Sequence, residues 1–207
     1  SLLQIFNTFL SGHLQHFSED IQAACSNIIN AALDLQNGVT ENFRKSAINF
    51  HYEFNVRHLA NVFVGLLVAQ PDQFKSVAKI VQLWLHESER VYGDRLVSLE
   101  HVAKYNQVAL AAVKKRFPGE SGAISNFYSD ENDDQLIFCH FAKSLQDNKY
   151  DQVKDFKQLS KTLKQALEEY NETNAAMPLV LFTDAVKHIC RITRIISNES
   201  GHALLVG

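Results

Sequence analysis

A chain of 207 residues, 46% hydrophobic and 21% charged with a net charge of -3, has the make-up of one or two folded domains rather than a disordered tail or a collagen-like rod. No apolar run approaches the roughly 18–20 residues of a membrane span, and the start SLLQIFNTFLSGHLQH lacks the basic lead and small-residue cleavage site of a signal peptide. Twenty basic against 23 acidic residues give no positive field to gather phosphate backbones, so neither nucleic acid nor membrane is an expected partner, and the expected location is cytoplasmic or cytoskeletal.

In chain order, Leu2, Ile5, Phe6 and Phe9 predict a short helix, and Ser18 is placed to cap a second one carrying Ile21, Cys25, Ile28 and Ala32. From Asn55 to Ala69 the clearest amphipathic pattern follows, with Leu59, Val62, Phe63, Leu66 and Leu67 in one stripe. After Pro71, residues Phe74, Val77, Val81, Trp84, Leu85 and Tyr92 predict a helix running to about Arg95, and Val102, Tyr105, Val108 and Ala112 predict the next. Opposed stripes with few strand signals imply an antiparallel helical bundle to about residue 116. The stretch from Pro118 to Tyr150 reads as a connector, since PGESGAISN and the acidic SDENDD are turn and solvation chemistry around a short apolar run, Leu136 to Phe138. Beyond it, Phe156, Leu159, Leu163 and Leu167 mark a helix, another spans about Thr183 to Ser197, Asn198 to Gly201 is a turn, and His202 to Val206 reads as an apolar strand. A lone strand needs a sheet, so the sequence is expected to be part of something larger.

The chemistry that the residues carry is sparse. Cys25, Cys139 and Cys190 sit far apart among apolar neighbours, as buried free thiols do, and no C-x-x-C spacing supports a zinc site. His86-Glu87-Ser88-Glu89 lacks the second imidazole of a zinc-protease helix, and the spacings of Glu87, Arg90 and Asp94 predict weak surface charge pairs. No glycine is followed by lysine and no apolar strand ends in an acidic pair, so nucleotide hydrolysis by these residues alone is not expected. Arg57 is the exception. With Asn55 as N-cap it falls in the first helical turn, where the dipole disfavours a cation by roughly 0.3–1 kcal/mol, and a nearby anion such as phosphate would account for it; a solvated arginine leaning away is the other explanation. Gly207, behind Leu204, Leu205 and Val206, stands where a phosphate loop could begin.

Three tracts together resemble dynein heavy chains, in wording the outer-arm axonemal kind. HYEFNVRHLANVFVGLL (His51 to Leu67) is similar to the opening of the helical lid of the third AAA+ module, LWLHESERVYGDRL (Leu83 to Leu96) to that lid's next signature, and YNETNAAMPLVLFTDAVKHICRITRIISNESGHALLVG (Tyr170 to Gly207) to the entry into the fourth module. The resemblance implies a mainly α fold: residues 1–16 as the last helix of the third large subdomain, 17–117 as the lid, 118–153 as connector, and 154–207 as the start of the fourth α/β module. It implies that Arg57 is the lid sensor of the terminal phosphate, that Leu179, Val180 and Phe182 wall the adenine of the fourth site, and that Gly207 opens its phosphate loop. His58 stands where relatives carry an acid. The implied parent is a microtubule motor ATPase of the ciliary or flagellar axoneme using ATP or ADP, with Mg held by other parts of the chain. Its implied partners are the other AAA+ modules, microtubules through distant regions, and dynein intermediate and light chains. This segment alone, lacking a complete nucleotide site, should be inactive. The rival from residue chemistry is a non-enzymatic helical adaptor that docks a partner through Trp84, the SDENDD loop and its apolar stripes.

Overall fold

The computed structural model describes residues 2–128 and 136–205, in two units divided between residues 132 and 133. The first unit contains α1 (Leu2–Leu14), α2 (Glu19–Ala23), α3 (Cys25–Asn42), α4 (Val56–Leu66), α5 (Val77–Val91), α6 (Leu99–Arg116) and α7 (Ser121–Ser125), with 3-10 turns at Gly93–Arg95 and Asn126–Tyr128. Side-chain caps fix several starts: Ser76 accepts the Lys79 N–H at 3.3 Å and Ser98 accepts the His101 N–H at 3.1 Å. Helix α3 packs on α6, α4 on α5, and α1 on α3. At the α3–α6 crossing a Cβ on Gly38 would come within 2.5 Å of Val108 Cγ1, so this glycine lets the two helices approach closely.

The stripes expected for α4 and α6 face the core, but three local expectations change. In α1 the buried residues are Phe6, Leu10 and Leu14, while Leu2, Ile5 and Phe9 are exposed. Ser18 makes no side-chain cap, and the helix expected behind it is two, broken at Ala24. Helix α5 is framed by Ser76 and Tyr92 rather than running from Pro71 to Arg95. The span expected as a plain connector contains α7, whose Ile124 is fully buried.

Every residue of α5 from Leu83 to Ser88 is buried, so the charges on this helix are not surface pairs. Glu87 is fully buried and takes both Arg90 Nε (3.1 Å) and Nη2 (2.9 Å) on one carboxylate oxygen. Asp94 belongs to the following turn, Gly93–Arg95. The physical reason is the close passage of α4 over α5 at Gly65, which seals the carboxylate from water.

In the second unit, β1 (Phe138–Cys139) pairs antiparallel with β2 (Asp151–Gln152), and α8 (Phe156–Thr173) and α9 (Thr183–Ile196) complete it. Ile137, Cys139, Phe141, Val153, Leu159, Leu163, Val186 and Cys190 form one apolar core. All three cysteines are free and buried, as the sequence implied. The neighbouring Cys190 thiol together with burial pushes the Cys139 thiol pKa up. Residues 202–205 carry no strand, and Leu204 and Leu205 are exposed: the two-residue β1 and β2 pair with each other, and an apolar strand does not form without a partner. Among the described residues no helix is long and apolar enough to cross a membrane.

Candidate phosphate-binding site

The start of α4 is held by a knot of polar and aromatic contacts. Tyr92 Oη donates to Gln36 Oε1 at 2.5 Å and Gln36 Nε2 donates to the Phe54 carbonyl at 3.3 Å, tying α3, the end of α5 and the residues before α4 into one buried chain. Tyr52 Oη meets His101 Nδ1 at 2.8 Å and accepts the Val97 N–H at 3.1 Å, while His51 Nε2 donates to the Arg95 carbonyl at 3.1 Å. Phe43, Tyr52, Phe54 and His101 stack edge-on around these bonds. The result is that the 44–55 loop and the 93–97 turn, some 40 residues apart in sequence, meet at one helix end.

At that end Asn55 caps α4, its Oδ1 accepting the Arg57 N–H at 3.0 Å. His58 returns the bond: its Nδ1 accepts the Asn55 N–H at 3.0 Å. This is the geometry in which a Glu or Gln at the third helical position closes a capping box, so an imidazole does here what an acid does elsewhere. The other ring nitrogen, Nε2, faces Arg95 Nη1. A neutral ring has one bare nitrogen, so it can satisfy one of these two donors and leaves the other in surplus. Arg95 also lies over the Phe54 ring, 5.9 Å from its centroid.

Burial holds the His58 pKa below its ordinary value and the Arg95 guanidinium pushes the same way, as Arg57 does more weakly, against opposing pulls from the Asn55 backbone bond and Glu53. Burial likewise lowers His13, against the opposing effect of its bond to the Ala69 carbonyl at 2.9 Å. Unfolded histidine, near 6.5, therefore binds protons more readily than these folded rings, and acid below that value favours the unfolded chain. The unfolding midpoint of the first unit should fall as the pH is lowered from about 7.5 to about 5.5. His58→Gln, which keeps an acceptor for the Asn55 N–H, should flatten this dependence without abolishing it, because His13 remains; a pH series of urea denaturation curves checks both.

Arg57 is exposed and has no carboxylate partner among the described residues. The sequence singled it out correctly as a cation at the positive end of a helix. It missed Arg95, for which no local pattern gives a signal. Leu179, Val180 and Phe182 lie together in the extended approach to α9, 54%, 80% and 60% exposed, while Leu181 between them turns in to the core of the second unit. Gly207 and the acidic tract from Ser129 to Asp134 lie outside the described residues. Trp84 is fully buried and cannot dock a partner, which removes the anchor of the adaptor reading.

A family model described as an AAA+ lid domain matches residues 28–125, and one described as the P-loop containing dynein motor region D4 matches residues 177–207. Over all 207 residues the chain is 59% identical to the dynein alpha chain of the flagellar outer arm of Chlamydomonas reinhardtii. The chain belongs with the axonemal dynein heavy chains. It is also 45% identical to dynein axonemal heavy chain 17 of Mus musculus and 41% identical to the ciliary dynein beta chain of Tripneustes gratilla, again with the whole chain matched. It spans only 5% of the length of the first of these dyneins and 4% of the other two. Within the family, the Arg57 to Arg95 knot falls inside the lid match, and the Leu179 to Phe182 approach falls inside the match to motor region D4.

Proposed function

We propose that this chain is the part of an axonemal dynein motor ring where the lid of the third AAA+ module leads into the fourth. The whole motor would hydrolyse ATP and move on microtubules in cilia or flagella, working with intermediate and light chains and with the other modules of its own ring. In this reading Arg57 contacts the terminal phosphate of ATP or ADP in the third module, and the lid thereby senses occupancy and passes it toward the fourth. Leu179, Val180 and Phe182 would wall the adenine of the fourth site, and Gly207 would open its phosphate loop. Bound nucleotide supplies the phosphoanhydride whose cleavage drives the motor. The Mg ion that accompanies it would be held by side chains elsewhere in the heavy chain.

The observation that carries this reading is the exposed guanidinium of Arg57, without an acid among the described residues, at the positive end of α4 in a segment matched as an AAA+ lid. Exposed leucine, valine and phenylalanine ahead of α9 add to it, since a flat base is a natural cover for them. One charge-assisted hydrogen bond to phosphate contributes roughly 1.5–3 kcal/mol. Arg57→Ala in the intact heavy chain should therefore weaken nucleotide binding at one class of sites on the order of tenfold or more, and alter microtubule release. Unchanged nucleotide titrations together with unchanged release kinetics would overturn the assignment.

A further inference from the structure

We infer that Arg95 is a second phosphate-binding cation that works beside Arg57, an inference that rests on the reading of Arg57 above. The first unit has three half-buried arginines, Arg90, Arg95 and Arg116. Arg90 sits on Glu87 at 2.9 Å and Arg116 on Asp34 at 2.6 Å. Arg95 has no carboxylate among the described residues. A guanidinium drawn partly out of water without a counter-charge is unusual, because desolvation is normally offset by an acid.

The surroundings of Arg95 sharpen the contrast. Its backbone is fixed by His51, its guanidinium lies over Phe54, and its Nη1 presses on a His58 ring that cannot satisfy it and the Asn55 N–H together. The nearby Glu53 is engaged elsewhere, 3.7 Å from Lys45. Arg57 and Arg95 act on the same imidazole from two elements, and both lower its pKa. What suits two guanidiniums without a carboxylate among the described residues, a surplus donor at His58 and the positive end of α4 is a polyanion, here the phosphate chain of a nucleoside di- or triphosphate. A planar fork held from behind by aromatic contacts is ready to donate two bonds without further ordering.

The test compares Arg57→Met, Arg95→Met and Arg95→Gln in the intact heavy chain by equilibrium titration with fluorescent ATP, and by the rise in melting temperature that ATP produces. Arg95→Met should weaken, on the order of tenfold, the class of sites that Arg57→Met weakens, and should shrink the ATP-induced rise. A purely structural Arg95 would lower the melting temperature by the same amount with and without ATP, which would overturn the inference. So would ATP affinity within about twofold of wild type in Arg95→Met while Arg57→Met is impaired, and then the reading of Arg57 stands. If Arg57→Met also titrates like wild type, both fall. Should Arg95→Met not fold, Arg95→Gln, with a stem that still packs on Phe54, decides by the same two measurements.

Discussion

Replacing Gly65 with alanine should lower the stability of the first unit by about 2–4 kcal/mol. In an isolated helix the same change is favourable by roughly 0.5–1 kcal/mol, because glycine loses more backbone freedom on folding. The sign reverses here because a Cβ at Gly65 would lie 2.2 Å from Glu87 Oε2 and 2.7 Å from both Cδ and Cγ. The carboxylate has nowhere to retreat without leaving Arg90, and separating a buried charge from its partner is among the costliest single events in a protein interior. The chain contains one tryptophan, Trp84, and it lies in the first unit, so the loss can be read by fluorescence during urea unfolding without interference from the second. Glu87→Ala is the control. The double variant should lose less than the two single losses added together, because the clash needs both partners. Additive losses would mean that the contact between Gly65 and Glu87 does not matter.

Trp84→Ala should be at least as damaging, about 3–5 kcal/mol, since an indole with no exposed surface leaves a void that rigid helices fill only in part. The indole Nε1 has no hydrogen-bond partner among the described residues, so part of what the ring contributes by packing is already lost to an unanswered N–H. Trp84→Phe removes that group along with some volume and should therefore cost only about 1 kcal/mol. Far-UV circular dichroism in urea distinguishes the two variants. A Trp84→Ala chain that unfolds at the wild-type midpoint would show that this position is not the centre of the unit.

These outcomes depend on features that the sequence disclosed unevenly. Helix α4 and its Asn55 cap were readable because capping, stripe and dipole all act within one or two turns. Position Arg57 followed from the same local rules. Arg95 did not, because what makes it unusual is the arrival of Phe54 and His58 from about 40 residues away, and no spacing rule reaches that far. Glu87 and Arg90 looked like solvated charges because i,i+3 spacing says nothing about the helix lying above them; Gly65, not the charges, was the clue. In α1, Leu2, Leu3, Ile5, Phe6, Phe9 and Leu10 are apolar nearly all round, so periodicity could not choose the inward face. The strand expected at His202 to Val206 has no paired neighbour over residues 202–205, the described part of that stretch. Leu179, Val180 and Phe182 were reached through the family resemblance rather than through any local pattern, and the packing of Leu181 alone against the core came from the structure.

The knot before α4 has a consequence for how a ligand would be felt. Gln36, Tyr52, Phe54, Tyr92 and His101 immobilise the approach to Asn55 during folding, so little slack is left for an incoming anion to take up. Strain applied at the first turn of α4 cannot dissipate in the preceding loop. A displacement there would be met directly by α3, the end of α5 and α6, whose Gln36, Tyr92 and His101 hold the residues before it.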